Sequence, residues 1–293
     1  MSQDSILKVE NLVMHFGGIK ALNDVNFEIK RGSVSALIGP NGAGKTTVFN
    51  CLTGFYKATG GSIMLHASGK STSVIEVLGE PFQVSDYLNP VAFIKRLKYK
   101  MFGGSHLVNR AGLARTFQNI RLFKEMSVVE NLLVAQHMRV NRGMFAGILK
   151  TKAFKESEEE ALERAFYWLG VVDLKEFANR LAGELSYGQQ RRLEIARAMC
   201  TNPEIVCLDE PAAGLNPSET EALTKMIRVL RDEHNTTVLL IEHDMGMVMN
   251  ISDYIVVLDH GEVIARGGPD DIKSNPKVIA AYLGAEEGEE VTL

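Results

Sequence analysis

No stretch constrains this chain more than residues 39–46, GPNGAGKT, which close a short apolar run, residues 33–38 (SVSALI), and open a helix-compatible one at residues 45–55. Gly39, Pro40, Asn41, Gly42, Ala43, Gly44, Lys45 and Thr46, with Thr47 following, fit the spacing G-x-x-x-x-G-K-[ST] in the strand–loop–helix context that makes it a phosphate cradle. Glycines let consecutive backbone N–H groups curl around phosphate oxygens, and the helix N-terminus adds positive partial charge. Lys45 is placed to reach the β- and γ-phosphates of a nucleotide, and the Thr46 hydroxyl to ligate Mg²⁺. A chain built around such a loop is an α/β protein with a parallel sheet.

The rest of the chain agrees. Residues 205–208 (IVCL) and 237–241 (TVLLI) are further apolar runs of strand length, as expected of a sheet covered on both faces. Between them, Leu223, Met226, Ile227 and Leu230 fall on one helical face of residues 218–231, with Asn216 as N-cap, Pro217 at the first helical position and Glu219 three residues after the cap. That unit is βαβ. Residues 8–13, 26–29 and the hairpin-like 255–267 read as antiparallel strands, so the core sheet is mixed. From 128 to 181 the signals are helical, with Leu162, Ala165, Phe166 and Leu169 on one face, which suggests a helical lobe inserted into the core. Cys51, Cys200 and Cys207 lack metal-ligand spacing and lie among apolar neighbours, as buried free thiols of a reducing compartment do. No apolar run approaches the roughly 18 residues of a membrane span. The balance of 32 Lys+Arg against 36 Asp+Glu is of the wrong sign for a nucleic-acid partner.

Asp209 and Glu210 end the 205–208 run, at the sheet edge where open α/β folds bind ligands. Asp209 is suited to hold Mg²⁺ and Glu210 to take a proton from, or orient, an attacking water. His243, after the next strand, reaches the same edge. Leu185-Ser-Tyr-Gly-Gln-Gln190, followed by RRLEIARAM, is a segment that simple phosphate-loop kinases and GTPases lack. With it, the motif order resembles the ATP-binding cassette (ABC) ATPases over nearly the whole chain. LSYGQQ matches the family signature, Gln118 in ARTFQN the Q-loop, AAGLNP (212–217) the D-loop, and His243 the switch histidine. The resemblance implies a P-loop NTPase (RecA-like) core with an antiparallel β subdomain and an inserted α-helical subdomain. It divides the chain into a core at 1–119 and 186–293, a helical subdomain at 120–185 and an acidic tail at 285–293. It further implies ATP and Mg²⁺ as cofactors, Glu210, His243, Lys45 and Gln118 as catalytic residues, and Thr46, Gln118 and Asp209 around the metal. Two cassettes, as homo- or heterodimer, would sandwich ATP so that Ser186, Gly188 and Gln189 of one face the γ-phosphate held by the other. The chain departs from the commonest pattern at Phe16, where a tyrosine usually stacks on adenine, at Tyr187, which stands for a signature glycine, and at Asn216, which replaces the D-loop aspartate.

Within the family, FGGIKALNDVNFEIKRG (16–32), ARTFQNIRLF (114–123), AAGLNP and GGPDDIKSNPKVIAAYLG (267–284) resemble the larger ATP-binding subunit of branched-chain amino acid importers. Such a subunit is peripheral on the cytoplasmic face of the inner (plasma) membrane, docked to two permease subunits, while a periplasmic or extracellular substrate-binding protein acts indirectly. Related subunits serve urea, short amides or exported lipid, and a soluble cassette acting on DNA or ribosomes would need arms or a second cassette that this sequence lacks. Residues 66–110 are longer than that branch usually has, and read as an ornament on the antiparallel edge. Between 87 and 124 lie Lys95, Arg96, Lys98, Lys100, Arg110, Arg115, Arg121 and Lys124 with no Asp or Glu, the pattern of a solvated basic face or of a border with anionic leaflet lipid.

Overall fold

A computed structural model describes residues 5–79, 90–137 and 152–289 of the chain. Among them two sheets form. One is antiparallel, in the order β2 (Ile19–Lys30), β1 (Ser5–Phe16), β4 (Gly60–Ala67), β5 (Lys70–Ser73). The other is mixed, in the order β10 (Glu262–Gly267), β9 (Tyr254–Asp259), β3 (Val34–Ile38), β8 (Thr237–Ile241), β7 (Ile205–Asp209), β6 (Leu113–Arg115). Within it only β10 runs antiparallel to its neighbour, as the 255–267 hairpin pattern predicts.

Strands β3, β7 and β8 are buried at every position, and their two faces feed two different cores. Val34, Ala36, Ile38, Val206, Leu208, Val238 and Leu240 point toward the helices, packing with Val128, Leu132, Ala165, Leu169, Leu193 and Leu223. The alternate residues Leu37, Cys207, Leu239 and Ile241 point toward the antiparallel sheet, packing with Leu7, Phe27, Phe49 and Leu65. This period-two division is why the strands read as continuous apolar runs. The helices Val128–Gln136 and Lys152–Val171 share the first core with the sheet, and Trp168 and Leu169 seal it. The three cysteines are buried and free, and burial pushes each thiol up to about 12.

Some boundaries differ from the sequence reading. The helix after the glycine loop stops at Leu52 rather than continuing to residue 55, because Gly54 takes φ +76° against Leu78 and Val108. Of the 66–110 stretch, the end of β4 and β5 form the antiparallel edge, Val74, Ile75, Val77 and Val108 enter the second core, and residues 80–89 lie outside the described residues. The acidic tail is helical within Pro276–Glu289, and residues 290–293 lie outside the described residues.

The helix Pro217–Asp232 begins as its sequence predicts: the Asn216 side chain accepts from the Glu219 N–H at 3.0 Å, Glu219 accepts from the Asn216 N–H at 3.1 Å, and Pro217 occupies the first turn. An N-cap needs a side-chain oxygen, which asparagine and aspartate supply equally. The departure at Asn216 is therefore neutral for folding. Asn216→Asp is expected to unfold in urea within a few tenths of a kcal/mol of wild type, whereas Asn216→Ala loses about 1 kcal/mol.

Candidate functional site

The glycine loop is fixed from beneath by two strands and a turn. Gly39 (φ +150°) lies so close to β9 that a Cβ there would sit 2.1 Å from the Leu258 carbonyl oxygen. Gly44 (φ +100°) precedes the helix Lys45–Leu52 and faces Leu22 and the Ala21 carbonyl of β2. The Gly261 N–H, in the β9–β10 turn, donates to the Ala43 carbonyl at 3.0 Å. Asn41 and Gly42 remain exposed at the tip, Thr46 is exposed on the first helical turn, and Thr47 is half-buried. The buried Lys45 Nζ donates to the carbonyls of Gly39 (2.6 Å) and Pro40 (2.9 Å), which centres the ammonium within the loop. Burial lowers the Lys45 pKa, and the nearby charge of Glu210 opposes that shift.

Glu210 follows β7 with φ 45°, a left-handed conformation that a non-glycine residue holds at roughly 1–3 kcal/mol. Its N–H donates to the Ile241 carbonyl of β8 at 3.0 Å. Its Oε2 accepts from Gln118 Nε2 at 2.7 Å and lies 3.8 Å from His243 Nδ1. Gln118, Glu210 and His243, far apart in sequence, thus converge on one carboxylate oxygen, with Lys45 close enough to feel its charge. Behind His243, the buried Glu242 accepts from the Ala212 N–H (2.7 Å) and the His243 N–H (3.2 Å), linking the 212–217 loop to the end of β8. Burial raises the Glu242 pKa against the pull of those N–H groups.

Asp209 is buried and paired: Arg115 Nη2 donates to its Oδ2 at 2.6 Å. Arg115 also donates to Asn50 Oδ1 (2.6 Å) and Thr53 Oγ1 (3.1 Å) at the end of the glycine-loop helix, among the rings of Phe49, Phe55 and Phe117. Counting Arg115 within a solvated basic face is therefore wrong, because its side chain is 7% exposed. A cation inside the strand LAR, next to aromatic positions, was the available signal. Thr46, Gln118 and Asp209 offer hydroxyl, amide and carboxylate oxygens, a donor set that suits a hard divalent cation.

Ser186, Gly188 and Gln189 stand elsewhere on the chain. Ser186 caps the helix Tyr187–Met199, its Oγ accepting from the Gln189 N–H at 3.3 Å while Gln189 Oε1 accepts from the Ser186 N–H at 3.0 Å. These residues line a groove with Leu215, Ser218 and Glu219 that includes no residue of the glycine loop. A Cβ on Gly214 would lie 3.2 Å from the Tyr187 ring, so the aromatic that departs from the signature packs on the 212–217 loop. Phe16, 42% exposed at the end of β1, presents its ring edge-on to Tyr56 at 5.3 Å, a partner the sequence reading missed.

The signature helix is tied to the Gln118 segment by Arg191, which is fully buried. It donates to the carbonyls of Phe117 (2.7 Å) and Gln118 (2.6 Å) and to Glu194 Oε2 (2.9 Å). Burial raises the Glu194 pKa, with the Arg191 charge opposing.

The phosphate-loop architecture and these carboxylates define the class of an ATP-binding cassette. A model of the ABC transporter family matches residues 22–213, and a model described as branched-chain amino acid ATP-binding cassette transporter matches residues 262–288. The chain is 54% identical over 279 residues to the high-affinity branched-chain amino acid transport ATP-binding protein BraF of Pseudomonas aeruginosa, covering 95% of this chain and 98% of that one. It is 52% identical over 284 residues to LivG of Escherichia coli (strain K12), which bears the same description, with 97% and 99% covered. Among solved structures, an ATP-binding cassette of an ABC transporter in its ADP conformation matches with TM-score 0.72 and 32% identity over 96% of this chain and 99% of that one. The chain belongs to the ABC transporter ATP-binding subunits, in their branched-chain amino acid branch.

Removing one member of a buried ion pair strands the other, whereas replacing both with apolar groups does not. Arg191→Leu is expected to lose roughly 3–5 kcal/mol in urea unfolding, and Arg191→Leu combined with Glu194→Leu to recover the part due to the stranded carboxylate, the Phe117 and Gln118 carbonyls losing their donor in both. An equal loss in both variants contradicts the assignment of the pair.

Proposed function

We propose that the chain is the ATP-hydrolysing subunit that powers uptake of branched-chain amino acids through separate membrane permease subunits. The observation that carries the chemistry is the convergence of Gln118 and His243 on the Glu210 carboxylate beside Lys45. In this reading Lys45 and the N–H groups of the glycine loop hold the β- and γ-phosphates, and Phe16 stacks on the adenine. Glu210 takes the proton of the attacking water, oriented by its bond to Gln118, and His243 steadies the same carboxylate. Mg²⁺ would be held by Thr46, Asp209 and Gln118, where it supplies neutralisation of phosphate charge. Arg115 occupies one oxygen of Asp209 and fixes the direction of the other.

Ser186, Gly188 and Gln189 act in trans. Their groove does not contain the glycine loop of the same chain, so a second ATPase subunit, a copy of this chain or a related one, closes the site, with the signature helix N-terminus toward phosphate. Among the described residues no helix is long and apolar enough to cross a membrane. In this reading the cargo passes through the permeases, and this subunit is peripheral on the cytoplasmic face. The substrate rests on the likeness to BraF and LivG, since a solute in the permease never touches these residues.

The test is co-reconstitution with the permease and partner subunits in liposomes, following ATP binding, hydrolysis and uptake of leucine, isoleucine and valine. Glu210→Gln is expected to bind ATP as wild type does, to hydrolyse it about 10²- to 10⁴-fold more slowly, and to support no uptake. Undiminished hydrolysis by this variant overturns the role of Glu210. ATP-driven uptake of none of the three amino acids overturns the substrate.

A further inference from the structure

The helix Pro90–Phe102, within the long 66–110 stretch, turns its apolar side outward. Ile94, Leu97 and Met101 recur at i, i+3 and i+7 on one helical face, with Phe102 beside them. Ile94 is 63% exposed, Met101 65% and Phe102 65%. Phe93, Arg96 and Tyr99, at three-residue spacing, are less exposed, and Tyr99 packs against the antiparallel core. A surface helix of a globular protein normally does the reverse.

The helix is fastened at its C-terminal end. The Gly103 N–H donates to the Tyr99 carbonyl at 2.7 Å, and a Cβ on Gly103 would lie 2.5 Å from the Val77 carbonyl oxygen. Its anchorage adjoins the Gln118 segment. The Lys57 ammonium donates to the Gly79 carbonyl, Leu78 and Ser105 meet Gly54, and the next residue, Phe55, sets its ring edge-on to Phe117 at 5.5 Å.

Lys95, Arg96, Lys98 and Lys100 make the helix cationic, with no Asp or Glu in it. A uniformly positive helix with an exposed apolar stripe complements a uniformly negative apolar boundary, and a protein partner offers no such uniformity. We infer that Pro90–Phe102 is an interfacial membrane-binding helix: Ile94, Leu97, Met101 and Phe102 enter the headgroup boundary of the bilayer, and the exposed Lys98 and Lys100 meet anionic lipid. This rests on the peripheral membrane location proposed above.

The experiment is flotation of the full chain with vesicles of phosphatidylcholine alone or mixed with phosphatidylglycerol, at low and high salt. It involves neither permease nor hydrolysis, so its outcome is separable from that of the transport reading. The chain is expected to float with phosphatidylglycerol-containing vesicles at low salt and to be released at high salt. Lys98→Gln is expected to weaken partitioning about five-fold, and Ile94→Glu combined with Met101→Glu to abolish it. All of these side chains are exposed, and wild-type affinity of each variant for an ATP analogue certifies its fold. Equal flotation with both vesicle types, no flotation at all, or flotation unchanged in the double variant overturns the inference. Binding seen only when permease is present does so too, in favour of a protein-docking helix.

Discussion

One carboxylate held in an unfavourable backbone conformation organises the site. Glu210 keeps φ 45° because β7 ends there in register with β8, Asp209 opposite Ile241, and because its own N–H is taken by the Ile241 carbonyl. In that position its side chain leaves the sheet edge and meets Gln118 from one segment and His243 from another. The local strain persists because two buried parallel strands over-determine it. A change at Gln118 or His243 is therefore felt at the Glu210 carboxylate, the group proposed to take the proton.

The charges around it are separated with the same economy. Two neighbouring carboxylates would repel, but Asp209 is paired with the buried Arg115, while Glu210 turns to Gln118 and His243. Arg115 also grips Asn50 and Thr53, so the end of the glycine-loop helix and the carboxylate strand move as one piece. Arg191 performs the matching task between the signature helix and the backbone of Phe117 and Gln118. The Gln118 segment thus carries a link to each of two buried arginines, Arg115 paired with Asp209 and Arg191 on the signature helix. A displacement of that segment reaches both halves of the proposed composite site.

What could be read from the sequence was whatever local spacing encodes. The glycine loop, the buried strands 205–208 and 237–241, and the Asn216-Pro217-Glu219 helix start each rest on backbone chemistry within a few residues, and each stands where expected. The strand position of Arg115 beside aromatic residues signals a packed cation, but its partner was not legible, because only long-range packing brings it to Asp209. The same holds for the Arg191 clamp on the Gln118 backbone and for Tyr56 beside Phe16. The outward apolar face of Pro90–Phe102 could not be seen either, since periodicity says that a helix has two faces and not which one the fold covers. The substrate was legible only through kinship with the amino acid transport subunits, because nothing at the site touches cargo.

The proposed chemistry requires the 39–47 loop to hold nucleotide phosphate through Lys45. Equilibrium titration of the purified chain with a non-hydrolysable ATP analogue and Mg²⁺, comparing wild type with Lys45→Ala, tests it most directly. A charged hydrogen bond of this kind contributes about 1.5–3 kcal/mol, so affinity is expected to fall at least roughly ten-fold while thermal unfolding of the free protein changes little. Equal affinity of the two proteins would contradict the account.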